Sequence, residues 1–359
     1  MNKLKFKITL PPLFPLVTVV SISLFALLML YSIGAGNFYP WCIKQFCRLL
    51  LGVTVMMVIS SVNSRFWRQH AYMAYFCCLG LLLSVAVVGK ISMGAQRWLN
   101  LYFFNFQPSE LMRIFLVVAL ARYFSDINGE NAKKSNLLII PIMMTGLPVF
   151  FVLLQPDLGT ATLLIFICMS ILFACGVQVW KFLLTLGVVA VVSPILWSTL
   201  HQYQQERILM FLNPEMDPNG SGYHIIQSQI ALGSGGFFGK GLMNGSQCQL
   251  NFLPEKQTDF VFAALGEELG FIGCGILIML YISLLCYNLA VTLRSRDRFT
   301  QLMVFGLNSM LFFYIFINMA MVCGILPVVG IPLPFFSYGG SAMLALMFCQ
   351  GLIFAADKS

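Results

Sequence analysis

Charge is what this sequence has least of. Only 9% of its 359 residues are Asp, Glu, Lys or Arg, where soluble domains carry about 25%. So few charges cannot clothe a water-facing surface, which excludes a string of soluble domains at this length. Histidine is scarcer still: His70, His201 and His224 are scattered. The 11 cysteines contain no CxxC pair and no His-flanked spacing, which argues against zinc and against a disulfide framework. Many of them (Cys77, Cys78, Cys168, Cys274, Cys286) lie inside apolar runs and read as buried thiols. There is no internal repeat, no low-complexity tract and no visible inverted symmetry of the transporter kind. Lys3, Lys5 and Lys7 precede an apolar run that is too long for a secretory h-region and lacks a small-x-small cleavage site. That run reads as a retained first span.

What the chain has instead is apolar surface, at 59% of residues, and this needs lipid as its solvent. The expectation is an all-α, polytopic membrane protein forming one domain over 1–359. Stretches long enough to cross a roughly 30 Å hydrocarbon core fall near 12–33, 46–62, 71–89, 108–124, 137–154, 160–176, 179–199, 260–290, 301–323 and 338–356. The formal charge of +8 does not indicate a nucleic-acid partner, because the cations sit in short clusters between apolar runs. With the amino terminus inside, 13 of the 21 basic residues fall in inner segments, as the positive-inside rule requires. Both termini are therefore expected in the cytoplasm. One connection, 200–258, is long and faces outward; its spaced aromatics predict an ordered loop lying on the bundle as short amphipathic helices.

Most carboxylates fall on the outer side or within spans, and an outer carboxylate cluster suggests chemistry there. In NFLPEKQTDFVFAALGEELG (251–270), Pro254 closes the loop, Thr258 is the expected N-cap and Asp259 falls in the first turn of the eighth span. Glu267 and Glu268 lie about 12–14 Å deeper at 1.5 Å per residue, where ionisable groups are costly and are functional candidates. Structural hydrogen bonding is the competing explanation for them, as helix capping is for Asp259. Asp157 lies in the short turn of LQPDLGT, where an ordinary turn role competes equally. In GAQRWLNLYFFNFQPSELMR (94–113), Arg97 can grip a phosphate, Trp98 reads as an interfacial residue, and Glu110 opens the fourth span. The glycine-rich GSGGFFGKGLMNG (233–245) matches neither a Walker loop nor GxGxxG. It is either an amide nest with Lys240 facing an anion or a flexible loop. NMAMVCGILPVVGIPLPFFSYGGSA (318–342) predicts irregular backbone near the outer face.

Taken in order, GAQRWL…FQPSEL, LQPDLGTA, GSGG…GKG, FLPEKQTDFVFA…EELG and NM…GILPVVGIPLPFFSYGGS resemble the SEDS family (shape, elongation, division and sporulation) over essentially the whole chain. GSQCQLNFLPEKQTDF and ILPVVGIPLP are similar to its elongation-type, RodA-like branch. The sequence departs from the common pattern with Gln257 in place of His, Arg113 in place of Lys and Cys248 in place of Ser.

The resemblance implies a peptidoglycan glycosyltransferase of the bacterial inner membrane that polymerises lipid II on the extracytoplasmic face. It also implies partnership with a class B penicillin-binding protein, other elongation-complex membrane proteins and the growing glycan strand. A lipid II flippase, or a non-catalytic scaffold for the penicillin-binding protein, is the alternative. Asp259 matches the essential aspartate and is the expected general base. Arg97 and Trp98 match the family's RW pair. Lys240, Arg207, Lys256, Glu110, Ser337, Gly339 and Gly340 complete the expected substrate-binding set, with Glu255, Glu267, Glu268 and Asp157 as supporting acids. A divalent cation, magnesium or manganese, is the only cofactor the chemistry suggests, and no ligand set for it is evident.

Overall fold

The computed structural model describes residues 12–39, 41–92, 95–100, 105–127, 135–199, 205, 209, 221–250, 252, 253 and 255–358. In chain order its elements are α1 (Leu13–Ile33), α2 (Cys42–Ser60), α3 (Ser64–Val88), β1 (Lys90–Ser92), β2 (Ala95–Asn100), β3 (Asn105–Phe106), α4 (Pro108–Ser125), α5 (Ile139–Leu154), α6 (Leu158–Ala174), α7 (Val179–Thr199), α8 (Ser221–Ser234), α9 (Ser246–Gln249), α10 (Val261–Arg294), α11 (Arg298–Val322) and α12 (Gly340–Asp357). The long helices coincide with the apolar stretches of the sequence. Five of them, α1, α2, α10, α11 and α12, are long and apolar enough to cross a membrane. α2 and α3 begin earlier than hydrophobicity suggests, because the turns carrying Lys44, Arg65 and Arg68 remain helical beyond the apolar stretches.

Local chemistry sets several helix starts. The Asn63 side chain accepts from Arg65 N–H ahead of α3, Pro108 occupies the first position of α4, and Asp157 and Asp297 cap α6 and α11 through the amides of Thr160 and Thr300. Each satisfies or avoids an orphan amide donor. α4 and α12 bury residues on all sides, as helices that are apolar all round must. α12 runs against α2, while α4 packs on α3, α11 and α6. α7 leaves Leu183, Leu184, Leu186 and Val191 exposed, a face suited to lipid.

The bundle has two chemically distinct ends. At one, Arg68 pairs with Asp126 at 2.7 Å and lies 3.8 Å from Asp297, and Lys358 donates to the Ser60 carbonyl. At the other, Arg97 reaches Pro156, Ser32 meets Glu268, and Tyr338 N–H donates to Gln257 O. This second end departs from an all-helical plan: β1, β2 and β3 form a small antiparallel sheet in that order, with Asn100 opposite Asn105. In the described part of the 90–106 connection, strand pairing supplies partners for backbone groups. In the long connection, the described part packs on the bundle. Ser228 Oγ donates to Val322 O and Gln229 Nε2 to Cys323 O, docking α8 on the end of α11.

Candidate active site

Asp259 does not sit in the first helical turn. α10 begins at Val261 with Phe260 at its N-cap position and no side-chain cap, while Thr258 Oγ donates to Glu255 O. The Thr258 cap is thus corrected: its hydroxyl closes the preceding turn. That turn is held from outside by its backbone. Gln257 O accepts from Tyr338 N–H at 2.9 Å, Thr258 O from Ser337 Oγ at 2.6 Å, and Asp259 O from Asn318 Nδ2 at 3.1 Å. Ser337 also accepts from Leu333 N–H, and Asn318 Nδ2 also donates to Ile331 O at 2.7 Å. The Asp259 carboxylate, half-buried, lies over Gly330, where a β-carbon would stand 3.6 Å from Oδ2.

Behind Asp259, α10 breaks at Gly270 (φ 63°, ψ −159°), leaving a short half-helix over 261–269. The glycine-rich segment fills the break. Lys240 N–H donates to Glu267 O, Gly241 N–H to Glu268 O, Phe271 N–H to Gly236 O and Ile272 N–H to Phe237 O. A β-carbon at Gly239 (φ 81°) would meet Glu268 O at 2.2 Å, so only glycine permits this approach. Residues 235–241 are therefore neither a free nest nor a loose loop; they supply the broken helix with its hydrogen bonds, the condition under which a membrane helix tolerates a break.

Two anticipated acids are fixed by this arrangement. Glu267, fully buried, accepts from Lys240 Nζ at 2.7 Å, Ser246 Oγ at 3.0 Å and Gln247 N–H at 3.0 Å. Glu268, also fully buried, accepts from Ser32 Oγ on α1. Lys240 thus engages a carboxylate of the protein itself, Glu267, where the sequence offered an anion-facing nest or a flexible loop. Nearby, burial pushes the Cys248 thiol up to about 12, with Glu267 and Glu268 adding to the shift. This thiol stays protonated.

A second chain of polar contacts runs through the first motifs. Arg97 donates to Gln155 O at 3.3 Å and Pro156 O at 2.5 Å and lies 3.8 Å from Asp157. Asp157 accepts from Thr160 Oγ1 at 2.8 Å, and that oxygen accepts from Arg113 Nη2 at 2.5 Å. Arg113 pairs with Glu110 at 2.8 Å, which also accepts from Tyr314 OH at 2.7 Å. Asp157, Glu110 and Arg113 are buried, and here all three carry structure. The chain meets the Asp259 turn through one backbone strip: a β-carbon on Gly159 would stand 2.7 Å from Val329 O, one residue before Gly330.

Of the remaining candidates, Trp98 stands half-buried in β2 beside Arg97. Lys256 is buried and donates to Cys248 O at 2.5 Å, while Glu255 is exposed and accepts from Gln257 Nε2. Gly339 is the N-cap position of α12. A β-carbon on Gly340 would lie 3.2 Å from Arg48 Nε. Arg207 lies outside the described residues. No sequence motif marks Arg48, whose guanidinium stacks on Tyr338 at 4.5 Å and whose buried Nη1 has no hydrogen-bond partner among the described residues. Asn318 was detectable as a polar side chain inside an apolar span. Among the described residues no three His, Cys, Asp or Glu gather as a metal-ligand set.

Residues 3–359 match the FtsW/RodA/SpoVE family of cell cycle proteins. The chain is 41% identical over 357 residues to the peptidoglycan glycosyltransferase MrdB of Escherichia coli K12, covering 98% of this chain and 95% of that one. It is 36% identical over 351 residues to a probable peptidoglycan glycosyltransferase FtsW of Geobacter sulfurreducens, covering 94% and 92%. Among solved structures, a chain from a peptidoglycan synthase complex that coordinates polymerization and crosslinking superposes with a TM-score of 0.85 at 30% identity, over 97% of this chain and 98% of that one. The rod shape determining protein RodA of Thermus thermophilus superposes at 0.73 and 27% identity, over 97% of both.

Proposed function

From the premise that this chain belongs to the FtsW/RodA/SpoVE (SEDS) family, we propose how its residues carry out glycosyl transfer. The protein is a multi-pass membrane peptidoglycan glycosyltransferase of the RodA type. Its substrate in this reading is lipid II, and its product is the glycan strand. The 4-hydroxyl oxygen of the acceptor sugar attacks the anomeric carbon of the donor. That carbon–oxygen bond forms as the bond to the lipid diphosphate breaks, and the diphosphate leaves with the electron pair. Asp259 takes the hydroxyl proton and returns it to water. Fixing both lipid-borne substrates in one membrane supplies proximity.

The observation that carries this is the pinning of three successive carbonyls, 257 to 259, by Tyr338, Ser337 and Asn318. It places a half-buried carboxylate at the head of a short half-helix, with its backbone unable to drift. The leaving diphosphate needs positive charge rather than a proton. Arg97, Lys240 and Lys256 already donate to protein acceptors. Arg48, with an unpartnered Nη1 beside Tyr338 and Gly340, is the cation placed to meet it. A magnesium or manganese ion bound with the diphosphate would add positive charge there, and no group of three His, Cys, Asp or Glu among the described residues forms a set of protein ligands for it.

By the positive-inside rule, the excess of basic residues at the Arg68–Lys358 end supports a topology with both termini in the cytoplasm and the Asp259 end outside. A class B penicillin-binding protein and other elongation-complex membrane proteins are the expected partners. The test is polymerisation of purified lipid II by the purified protein, scored as glycan length, beside an Asp259→Asn variant. Strands from wild type, and a loss of at least about 100-fold in the variant at unchanged melting temperature, support the reading. Near-equal polymerisation by the variant would remove Asp259 as the base. No strands from an active complex would return the protein to a flippase or scaffold.

A further inference from the structure

At the end of the bundle opposite Asp259 lies a cavity of about 790 Å³, lined by five cations, Arg65, Arg68, Arg294, Arg296 and Lys358. This volume falls within the roughly 300–1,000 Å³ typical of ligand sites. Among the described residues two carboxylates share its wall, Asp297 and Asp357, and both are engaged. Asp297 accepts from Thr300 N–H and Oγ1 and lies 3.8 Å from Arg68, and Asp357 accepts from Tyr287 OH at 2.8 Å. Arg68 has its own partner in Asp126. Arg65, Arg294 and Arg296 make no ion pair among the described residues, and all three are exposed. The positive-inside rule accounts for basic residues at this end, but it asks only for exposed charge, not for cations converging on one hollow.

The depth of the hollow identifies its occupant. Arg65 is the second residue of α3, Arg294 the last of α10, and Lys358 the C-cap of α12. Ends of helices that span a bilayer fall near its headgroups, where Arg and Lys collect. Val291, Phe299 and Ala356 give the cavity buried apolar wall, so a ligand with a phosphodiester above and hydrocarbon below meets matching surfaces. Guanidinium forks bind phosphate oxygens in pairs, and basic pockets between membrane helices hold anionic headgroups. We propose that this cavity is a binding site for the phosphodiester headgroup of an anionic phospholipid, gripped by Arg65, Arg294 and Arg296.

The site joins the α2–α3 connection to the ends of α10, α11 and α12, so its occupant ties together the helices that carry Asp259 and its supports. The test uses the purified full chain in nanodiscs of phosphatidylcholine with or without phosphatidylglycerol, reading retained lipid by native mass spectrometry and melting temperature together. Wild type should retain phosphatidylglycerol and melt higher in its presence. The triple variant Arg65→Gln/Arg294→Gln/Arg296→Gln should lose roughly fivefold in affinity per arginine, about 100-fold in all. The triple Arg→Lys variant, which keeps the charge and loses the fork, should fall between. Lys181→Gln, a cation outside the cavity, should behave as wild type. Equal retention by the Gln triple, or equal loss in Lys181→Gln, would overturn the proposal. So would protection in neutral nanodiscs by free glycerol 3-phosphate or by an oligoglutamate peptide, which would assign the site to a soluble anion or an acidic partner. Binding is read without polymerisation, so this outcome and that of the Asp259 assay are independent.

Discussion

Lys240 Nζ lies 2.7 Å from Glu267 Oε1, joining the glycine-rich segment to the half-helix that begins just after Asp259. The lysine keeps contact with water at 30% exposure, whereas the glutamate side chain is fully buried. The two ends of the pair are therefore not equivalent. A lysine that loses its partner can hydrate, but a buried carboxylate that loses its cation cannot.

That asymmetry gives the first prediction. Lys240→Met should destabilise the protein by about 3 kcal/mol, the low end for a broken buried pair, because Glu267 keeps its bonds from Ser246 and Gln247. Adding Glu267→Gln should restore at least about 1 kcal/mol through coupling. Thermal unfolding of the single and double variants checks it. A double variant no more stable than Lys240→Met would contradict the pairing.

The helices were legible in the sequence because a bilayer imposes length and apolarity on each of them. The environment of Asp259 was not, for a physical reason. Its turn is held by Asn318, Ser337 and Tyr338, donors roughly 60 to 80 positions away acting on backbone carbonyls, and a carbonyl carries no sequence signature. Thr258 looked like an N-cap because the residue type fits one, yet its hydroxyl found the Glu255 carbonyl first. The glycine-rich segment stayed ambiguous because its partner is the break at Gly270, which lies inside an otherwise regular apolar pattern. Glu110, Asp157 and Glu267 stood out in the sequence as candidate acids, and in the structure each is held by protein partners. Residue type and position along the chain marked them without revealing whether they serve the fold or the chemistry.

Asn318→Leu should slow polymerisation without removing the base. The amide donates to the carbonyls of both Asp259 and Ile331, so its loss leaves two acceptors unsatisfied and lets the turn move. The expected effect is a fall in kcat of about tenfold or more with a smaller change in KM, since a displacement near 1 Å can cost about 100-fold. A kcat equal to wild type in a folded Asn318→Leu protein would remove Asn318 from the support of the site.

Arg97 and Lys44 offer a matched pair of cations at the Asp259 end. Arg97 fastens β2 to the Gln155–Asp157 turn through two carbonyls, whereas Lys44 lies 5.6 Å from the Tyr39 ring and makes no ion pair among the described residues. Arg97→Ala should cost about 1.5–3 kcal/mol, as hydrogen bonds to charged groups do, and should cut polymerisation. Lys44→Ala should stay within about 0.5 kcal/mol. Equal small losses in both, measured by melting temperature and glycan yield, would show that the Arg97 contacts carry little.

Arg113 tests the buried chain that links α4, α6 and α11. Its Nη1 pairs with Glu110 and its Nη2 donates to Thr160 Oγ1, with the Tyr314 ring 5.1 Å away. Lysine can keep the point charge beside Glu110 but cannot also reach Thr160, because the fork is gone. Arg113→Lys should therefore lose about 1–2 kcal/mol, close to one hydrogen bond. The start of α6 should survive that change, since Thr160 still donates to Asp157. Arg113→Met should cost about 3–5 kcal/mol by leaving Glu110 charged in the interior with Tyr314 as its remaining donor among these contacts. Adding Glu110→Gln to it should recover part of that loss. Melting temperatures in the order wild type, Arg113→Lys, double variant, Arg113→Met would establish that the chain is held by charge pairing, and an Arg113→Met protein as stable as Arg113→Lys would refute it.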